Sequence, residues 1–519
     1  MRHSLTLILA LILALFAIPA SGASIAKISY LTSSTVYIDA GNAQGLAEGD
    51  SVEVWRGGQR LGSLVVDYTS QTRSTCPLKG VSFQPRVGDE IHFVPGEVHD
   101  LAAPVVVEEA STEVKNEALW KGRVGASFLG VRTREDFGQN FDQPAGDLRL
   151  SGRHLAQDHL DLEIDARARH TYRRPTEGAK SDQALNRVYR ASLSWSPPAS
   201  SSGLVLGRQS SPELANLSIF DGASATLRHE RWSGGLVGGV QPTLGDLEFS
   251  TEVMELGAFY RRQAAKNQQE QRWNLTLATI ASYRKSEINR EYLYLQGSWA
   301  DPRWSLFASQ ELDLNRGWKR NFNSSVITPT ASYLFARYRV RRELRLKAGF
   351  DNRRRVRLWP DRETPETLFD ETYRRGYWVG ADSRLGRSWN LGLDFRGSSG
   401  GSAGSASVIS LRASWFDLRQ LPLEIGGRFS RFGNDRYDGI LASLNLGWEL
   451  SSTLRLDGEG GIRSENHGGF VMDQNDQHWL GLRAEAALQA GWFLNFSGEW
   501  TRGGIDATDL YYSSLNYRF

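Results

Sequence analysis

Cysteine, methionine and lysine are all scarce in this chain of 519 residues, and each shortage excludes something. Cys76 is the only cysteine, so no intramolecular disulfide, cysteine-rich metal site or c-type haem motif can form. Only three methionines occur, and only nine of the 61 basic residues are lysine. Positive charge is therefore carried by arginine, whose planar guanidinium grips carboxylate and phosphate in a bidentate manner. The net charge of +2 gives no reason to expect nucleic acid. The nine histidines are scattered. His154 and His159, with Asp158 and Asp161, read as a solvated turn, and His467, Asp473, Asp476 and His478 as a polar loop. No Ser/His/Asn or Asp/His set has a telling spacing, so no catalytic residue, metal or cofactor is expected and the chain reads as a non-enzyme.

Long hydrophobic runs are also absent, except at the start. Arg2 and His3 precede an apolar stretch from Leu5 to Ile18, followed by Pro19-Ala20-Ser21-Gly22-Ala23. That is the pattern of a secretory signal peptide over 1–23, with cleavage after Ala23. No later stretch approaches the roughly 18 apolar residues of a membrane helix, which excludes a helical membrane protein.

Alternation is what the rest of the chain has. In 440–450, Ile440, Ala442, Leu444, Leu446, Trp448 and Leu450 share one face, while Ser443, Asn445 and Glu449 share the other. The segments 343–350, 480–489, 160–169, 334–340, 409–415, 421–430, 454–463 and 492–500 behave alike. Period 2 of this persistence means strands. The polar faces carry Arg, Asp and Glu together, and Trp299, Trp304, Trp415, Trp448, Trp492 and Trp500 sit near strand ends. With 16 Trp, 17 Tyr and 22 Phe, aromatics suffice for the girdles of a transmembrane barrel. Short links alternate with longer polar loops such as 352–372, 397–405 and 501–509. The expected fold is all-β: a large antiparallel transmembrane barrel over 119–519 with about 22 strands, within a range of about 18–22. Residues 200–262 fit this pattern least clearly.

The last ten residues, LYYSSLNYRF, place Tyr511, Ser513, Leu515, Tyr517 and Phe519 on one face. This strand resembles the C-terminal sorting strand of Gram-negative, porin-like outer-membrane β-barrels. The resemblance implies residence in the cell outer membrane, contact with its lipid and handling by the barrel assembly machinery during insertion. Tyr511, Leu515, Tyr517 and Phe519 would be the sorting residues.

Before the barrel, residues 24–98 alternate short β-rich runs with glycine turns, among them Gly41 to Gly45, Glu48-Gly49-Asp50, Gly57-Gly58 and Val87-Gly88-Asp89. The arrangement resembles small SH3-like barrels of bacterial envelope proteins, the C-terminal domain of the flagellar assembly protein T family in particular. That resemblance implies a periplasmic domain able to dock a protein or peptidoglycan partner. Residues 99–118 read as a linker. Cys76, beside Pro77, reads as a buried core thiol.

Alternation would turn Arg149, Arg167, Arg169, Arg337, Arg339, Arg345, Arg412, Arg428, Arg455 and Arg483 into the lumen, together with acids such as Asp165, Asp382, Asp394 and Asp457. Two readings follow: a conduit favouring anions, or an inner wall stiffened by Arg–carboxylate ladders. So many strands leave a wide lumen unless something fills it. The candidates are the N-terminal unit, the loop 208–220 and the arginine-rich loop 352–372. The expected function is an outer-membrane channel or export conduit for a polar solute or polymer, anionic under the first of these readings. The alternative is a structural or assembly anchor whose small domain docks a partner, or a sheath for an electron-transfer cytochrome.

Overall fold

The computed structural model describes residues 24–93 and 118–519 apart from short breaks at connections. The expected leader and nearly all of the linker lie outside the described residues. Two β units make up the molecule.

The first is a seven-stranded curled sheet: β1 (Ser24–Leu31), β2 (Thr35–Ile38), β3 (Ser51–Arg56), β4 (Gln59–Val65), β5 (Tyr68–Thr69), β6 (Ser74–Pro77) and β7 (Glu90–Phe93). Its order is β4-β3-β7-β1-β2-β6-β5. One strand face supplies Ile28, Val36, Ile38, Val52, Val54, Leu64, Ile91 and the fully buried Cys76, so the curl closes over an apolar core. Burial pushes the Cys76 thiol well above its ordinary value. The Gly88-Asp89 turn has a specific task. Gly88 takes φ +94°, and Asp89 accepts two bonds from Arg56 at 2.7 and 2.8 Å and one from the Arg86 amide at 2.7 Å.

The second unit is a closed antiparallel barrel of 22 strands, β8 to β29. In chain order they begin with β8 (Leu119–Thr133), β9 (Gln139–His154), β10 (Leu160–Pro175), β11 (Ser181–Trp195), β12 (Ser202–Gln209), β13 (Phe220–Arg228) and β14 (Trp232–Val240). Next come β15 (Val253–Gln263), β16 (Arg272–Arg284), β17 (Glu287–Ala300), β18 (Trp304–Leu314), β19 (Ile327–Arg341), β20 (Leu344–Arg353), β21 (Arg374–Leu385) and β22 (Trp389–Ser399). The series ends with β23 (Ala406–Leu418), β24 (Leu421–Asn434), β25 (Tyr437–Ser451), β26 (Leu454–His467), β27 (Gln474–Ala487), β28 (Trp492–Arg502) and β29 (Thr508–Arg518). Each strand pairs with its sequence neighbour, and β29 closes the ring on β8.

Pairing every strand on both sides leaves no edge, which is how a sheet survives in lipid. The exterior is apolar: Leu411, Phe429, Leu444, Ile462, Leu482 and Phe496 are all exposed, Leu444 by 68%. An apolar belt of this extent is unstable in water and suits hydrocarbon. Rings gather where the strands meet the short turns. Trp389 stacks on Trp415 at 5.4 Å, and tilted ring contacts join Trp304 to Tyr338 at 4.4 Å and Trp492 to Tyr517 at 4.9 Å. That end also holds Phe519, exposed on the outer wall beside Leu515.

The alternation of connection lengths holds with exceptions. At the long-loop end β16 turns into β17 through Lys285 and Ser286 alone, both at positive φ. The segment 433–438, expected as a longer loop, is likewise a two-residue reversal between β24 and β25. There both strand faces become polar, so alternation stops marking the strand before the hydrogen-bonded ladder ends.

Candidate functional site in the barrel lumen

Side chains that alternate with the exposed apolar ones form the inner face, and several of its arginines are tied to acids. Arg123 and Arg149 reach Asp147 and Asp165 at 2.7 and 2.6 Å, and Arg190 bonds Glu163. Arg167 and Arg169 lie on the same face of β10, opposite Asp147 and Ala145. Lys347 binds Asp382 and Asp394 at 2.9 and 2.8 Å, and Arg412 shares both carboxylates. Arg455 meets Asp457 at 2.9 Å, Glu449 at 3.6 Å and Glu424 at 3.9 Å. Arg483 stands opposite Asp457 in the ladder. Arg428 opposes Arg412 and donates from Nε to Ser430 Oγ at 3.1 Å.

Arg167, Arg169, Arg428 and Arg483, which form no ion pair among the described residues, are spread over β10, β24 and β27, whereas Arg337, Arg339 and Arg345 lie together. Arg339 faces Arg345 directly across β19 and β20, and Arg337 faces Lys347. None of the three arginines forms an ion pair among the described residues. Like charges placed opposite one another are unfavourable, so this patch concentrates positive charge, and Asp382 opposite Arg345 is already shared by Lys347 and Arg412.

Three outer loops fold against the inner wall on the other side. The loop between β12 and β13 buries Leu214 completely, and with it Leu217, against inward Val237, Phe259, Ala278, Ile280, Tyr292 and Tyr294. Ser218 Oγ donates to Glu255 at 2.7 Å. The loop between β18 and β19 contains a 3-10 turn, Gly317–Asn321, and Trp318 Nε1 donates to the Ile288 carbonyl at 2.8 Å. The loop between β20 and β21 joins it: Trp359 packs edge-on to Trp318, its amide donates to Asn289 Oδ1 at 2.9 Å, and Arg357 lies 4.3 Å over both Phe322 and Phe369. Lys319 is only 3% exposed beneath this pair of loops. Burial pushes its ammonium down to about 8, Arg290 adds to the effect, and Asp313 and Glu291 oppose it.

The seven-stranded unit meets the barrel at the short-turn end. Arg73 Nε lies 3.4 Å from Glu449 Oε2. A cavity of about 400 Å³ there is lined by Tyr37, Tyr68 and Arg73 from the small unit and Arg123, Arg455 and Arg518 from the barrel.

Loops 208–220 and 352–372, two of the expected fillers, both fold onto the inner wall. The aromatic residues Phe307, Phe335, Trp378 and Phe432, not among the expected lumen residues, share the inner face with the arginines. Their signal was available: each occupies the polar-face parity of its strand, Phe335 between outward Leu334 and Ala336.

Neither a protein-family model nor a curated protein matches the sequence. Solved structures do. The ferric enterobactin receptor PfeA of Pseudomonas aeruginosa aligns with a TM-score of 0.50 at 10% identity, over 78% of this chain and 82% of that one. The P pilus usher (PapC) translocation pore gives 0.43 at 10% identity, over 76% and 99%. OccK7 of Pseudomonas aeruginosa gives 0.41 at 11% identity, over 77% and 99%. At such identities the likeness is one of fold, and the fold is that of large outer-membrane β-barrels.

Proposed function

We propose that the protein is a passive outer-membrane conduit that favours polar, anionic solutes. The observation that carries this reading is the cluster of Arg337, Arg339 and Arg345, which the register sets against one another and against Lys347 and which forms no ion pair among the described residues. Field in a low-dielectric channel concentrates counter-ions, so a few uncompensated cations set the sign of the preferred solute. The end bearing Phe519 and the short turns would face the periplasm, with the small unit, taken as an SH3-like domain, in that compartment. Its contact with the barrel through Arg73 and Glu449 supports a second role, as a stopper on the mouth.

Planar-bilayer conductance of the refolded chain, with and without residues 24–98, tests both. Steady conductance with anion preference in both forms supports the open conduit. Conductance only after deletion makes the small unit the stopper. Silence in both forms, from a barrel that still shifts on gels when heated, rejects transport and favours an anchor that docks a partner through 24–98.

A further inference from the structure

The hydrogen-bond register lines the inward aromatic residues into one row. Phe307 on β18 pairs with Phe335 on β19, which pairs with Gly349 on β20, then Trp378 on β21 and Arg396 on β22. The row continues through Val408 to Phe432 on β24. At about 4.8 Å per strand, six steps cover about 29 Å. The row also climbs. Phe307 lies just inside the short-turn end of its strand, which begins at Trp304, whereas Phe432 is near the long-loop end of β24, which finishes at Asn434. Barrel strands are tilted, so a row perpendicular to them runs obliquely up the wall.

Two neighbouring rows, displaced by two and four residues, carry the cations. Arg337, Lys347 and Asp394 belong to one, and Arg339, Arg345, Asp382, Arg412 and Arg428 to the other. Each step of two residues is about 7 Å. Glycine shapes the aromatic row. A Cβ on Gly349 would sit 2.1 Å from the Trp378 indole, and one on Gly439 would sit 2.8 Å from the Phe432 ring. Both rings therefore lie over bare backbone, and Tyr333 adds a further ring 5.7 Å from Trp378.

We infer that this oblique track binds a linear acidic oligosaccharide, a chain of uronic-acid type, along the inner wall of β18–β24. The inference rests on the conduit reading and names its solute. Pyranose rings present C–H faces that settle on aromatic rings, and their carboxylates reach the guanidinium groups one row away. The strand spacing is close to the length of one sugar unit, so successive units meet successive strands. A track of about 29 Å exceeds what a small solute can use. Single-stranded nucleic acid also combines rings with acid groups. Single-stranded DNA fits less well, because Asp382 and Asp394 within the cation rows accept bonds from hydroxyl groups, which every unit of a uronic-acid chain carries and the interior of a DNA strand lacks.

The test is isothermal titration calorimetry of the detergent-solubilised full chain with hexagalacturonate, maltohexaose and a thymidine hexanucleotide. Binding of hexagalacturonate alone is expected. Trp378→Ala should weaken it about tenfold, or about 1.4 kcal/mol, Trp378→Phe should largely restore it, and the double variant Arg337→Gln, Arg345→Gln should also weaken it about tenfold. Heat-shift on gels verifies that each variant is folded. No binding of hexagalacturonate, preference for the nucleotide, or indifference to Trp378 overturns the inference. Binding does not require ion flow, so a silent channel that still binds hexagalacturonate rejects the conduit and leaves the track standing.

Discussion

Phe519 closes the barrel over a residue that has no side chain. Its amide donates to the Gly122 carbonyl at 3.1 Å, its carbonyl accepts from the Gly122 amide at 2.9 Å, and its ring covers the Gly122 Cα. A Cβ at Gly122 would stand 2.3 Å from Phe519 Cζ. Gly122→Val must displace the ring at the seam where the first and last strands join, an overpacking cost of about 1–3 kcal/mol. Slower refolding into lipid vesicles is expected, read as a delayed appearance of the heat-modifiable band; unchanged kinetics would mean that the ring position is immaterial. The outward face of Tyr511, Leu515, Tyr517 and Phe519 was legible because a strand with lipid on one side and water on the other must alternate. Gly122 as their counterpart was not, since the pairing of β29 with β8 joins residues almost 400 positions apart in sequence.

At the level of elements, the inward loops decide how much of the lumen is open. Leu214 is the centre of the β12–β13 loop contact, and Leu214→Ala should loosen its docking by about 2–5 kcal/mol, as buried leucines do. The expected readout is a larger single-channel conductance with more flicker, together with new protease cleavage within 210–219. The β18–β19 loop answers to pH through Lys319. Its ammonium titrates near 8 in the folded chain, below its ordinary value of about 10.4. The lowered value means that the docked loop disfavours the charged form. This penalty is fully present below about pH 8 and vanishes as pH rises through about 10.4, amounting to about 3 kcal/mol. Amide exchange in 315–326, corrected for its intrinsic pH dependence, should therefore slow between these values, and Lys319→Met should remove the effect. These loops show where sequence reading runs out. A strand announces itself by period 2, but Leu214 and Leu217 gain meaning only from inward Val237, Phe259 and Ile280, supplied by three other strands.

The whole molecule separates what composition can tell from what it cannot. Strand number and apolar exterior follow from local pattern, because lipid imposes one rule on every strand. The lumen obeys no such rule. Inward arginine was predictable by parity, yet whether each is tied or free depends on register: Arg149 meets Asp165, while Arg339 meets Arg345. Charge selectivity is the property of the assembled barrel that exposes this difference. Replacing Arg337, Arg339 and Arg345 together by Gln removes three positive charges that form no ion pair among the described residues. The reversal potential in a KCl gradient should then move toward cation preference. Removing a tied pair, Arg149→Gln with Asp165→Asn, leaves the net lumen charge unchanged and should leave the reversal potential where it was, at a stability cost of no more than about 1 kcal/mol. The effect of the triple variant should fade in 1 M salt, where charges are screened beyond about 3 Å. If the tied pair shifted selectivity as much as the triple variant, the inner wall would act through its shape rather than its uncompensated charge.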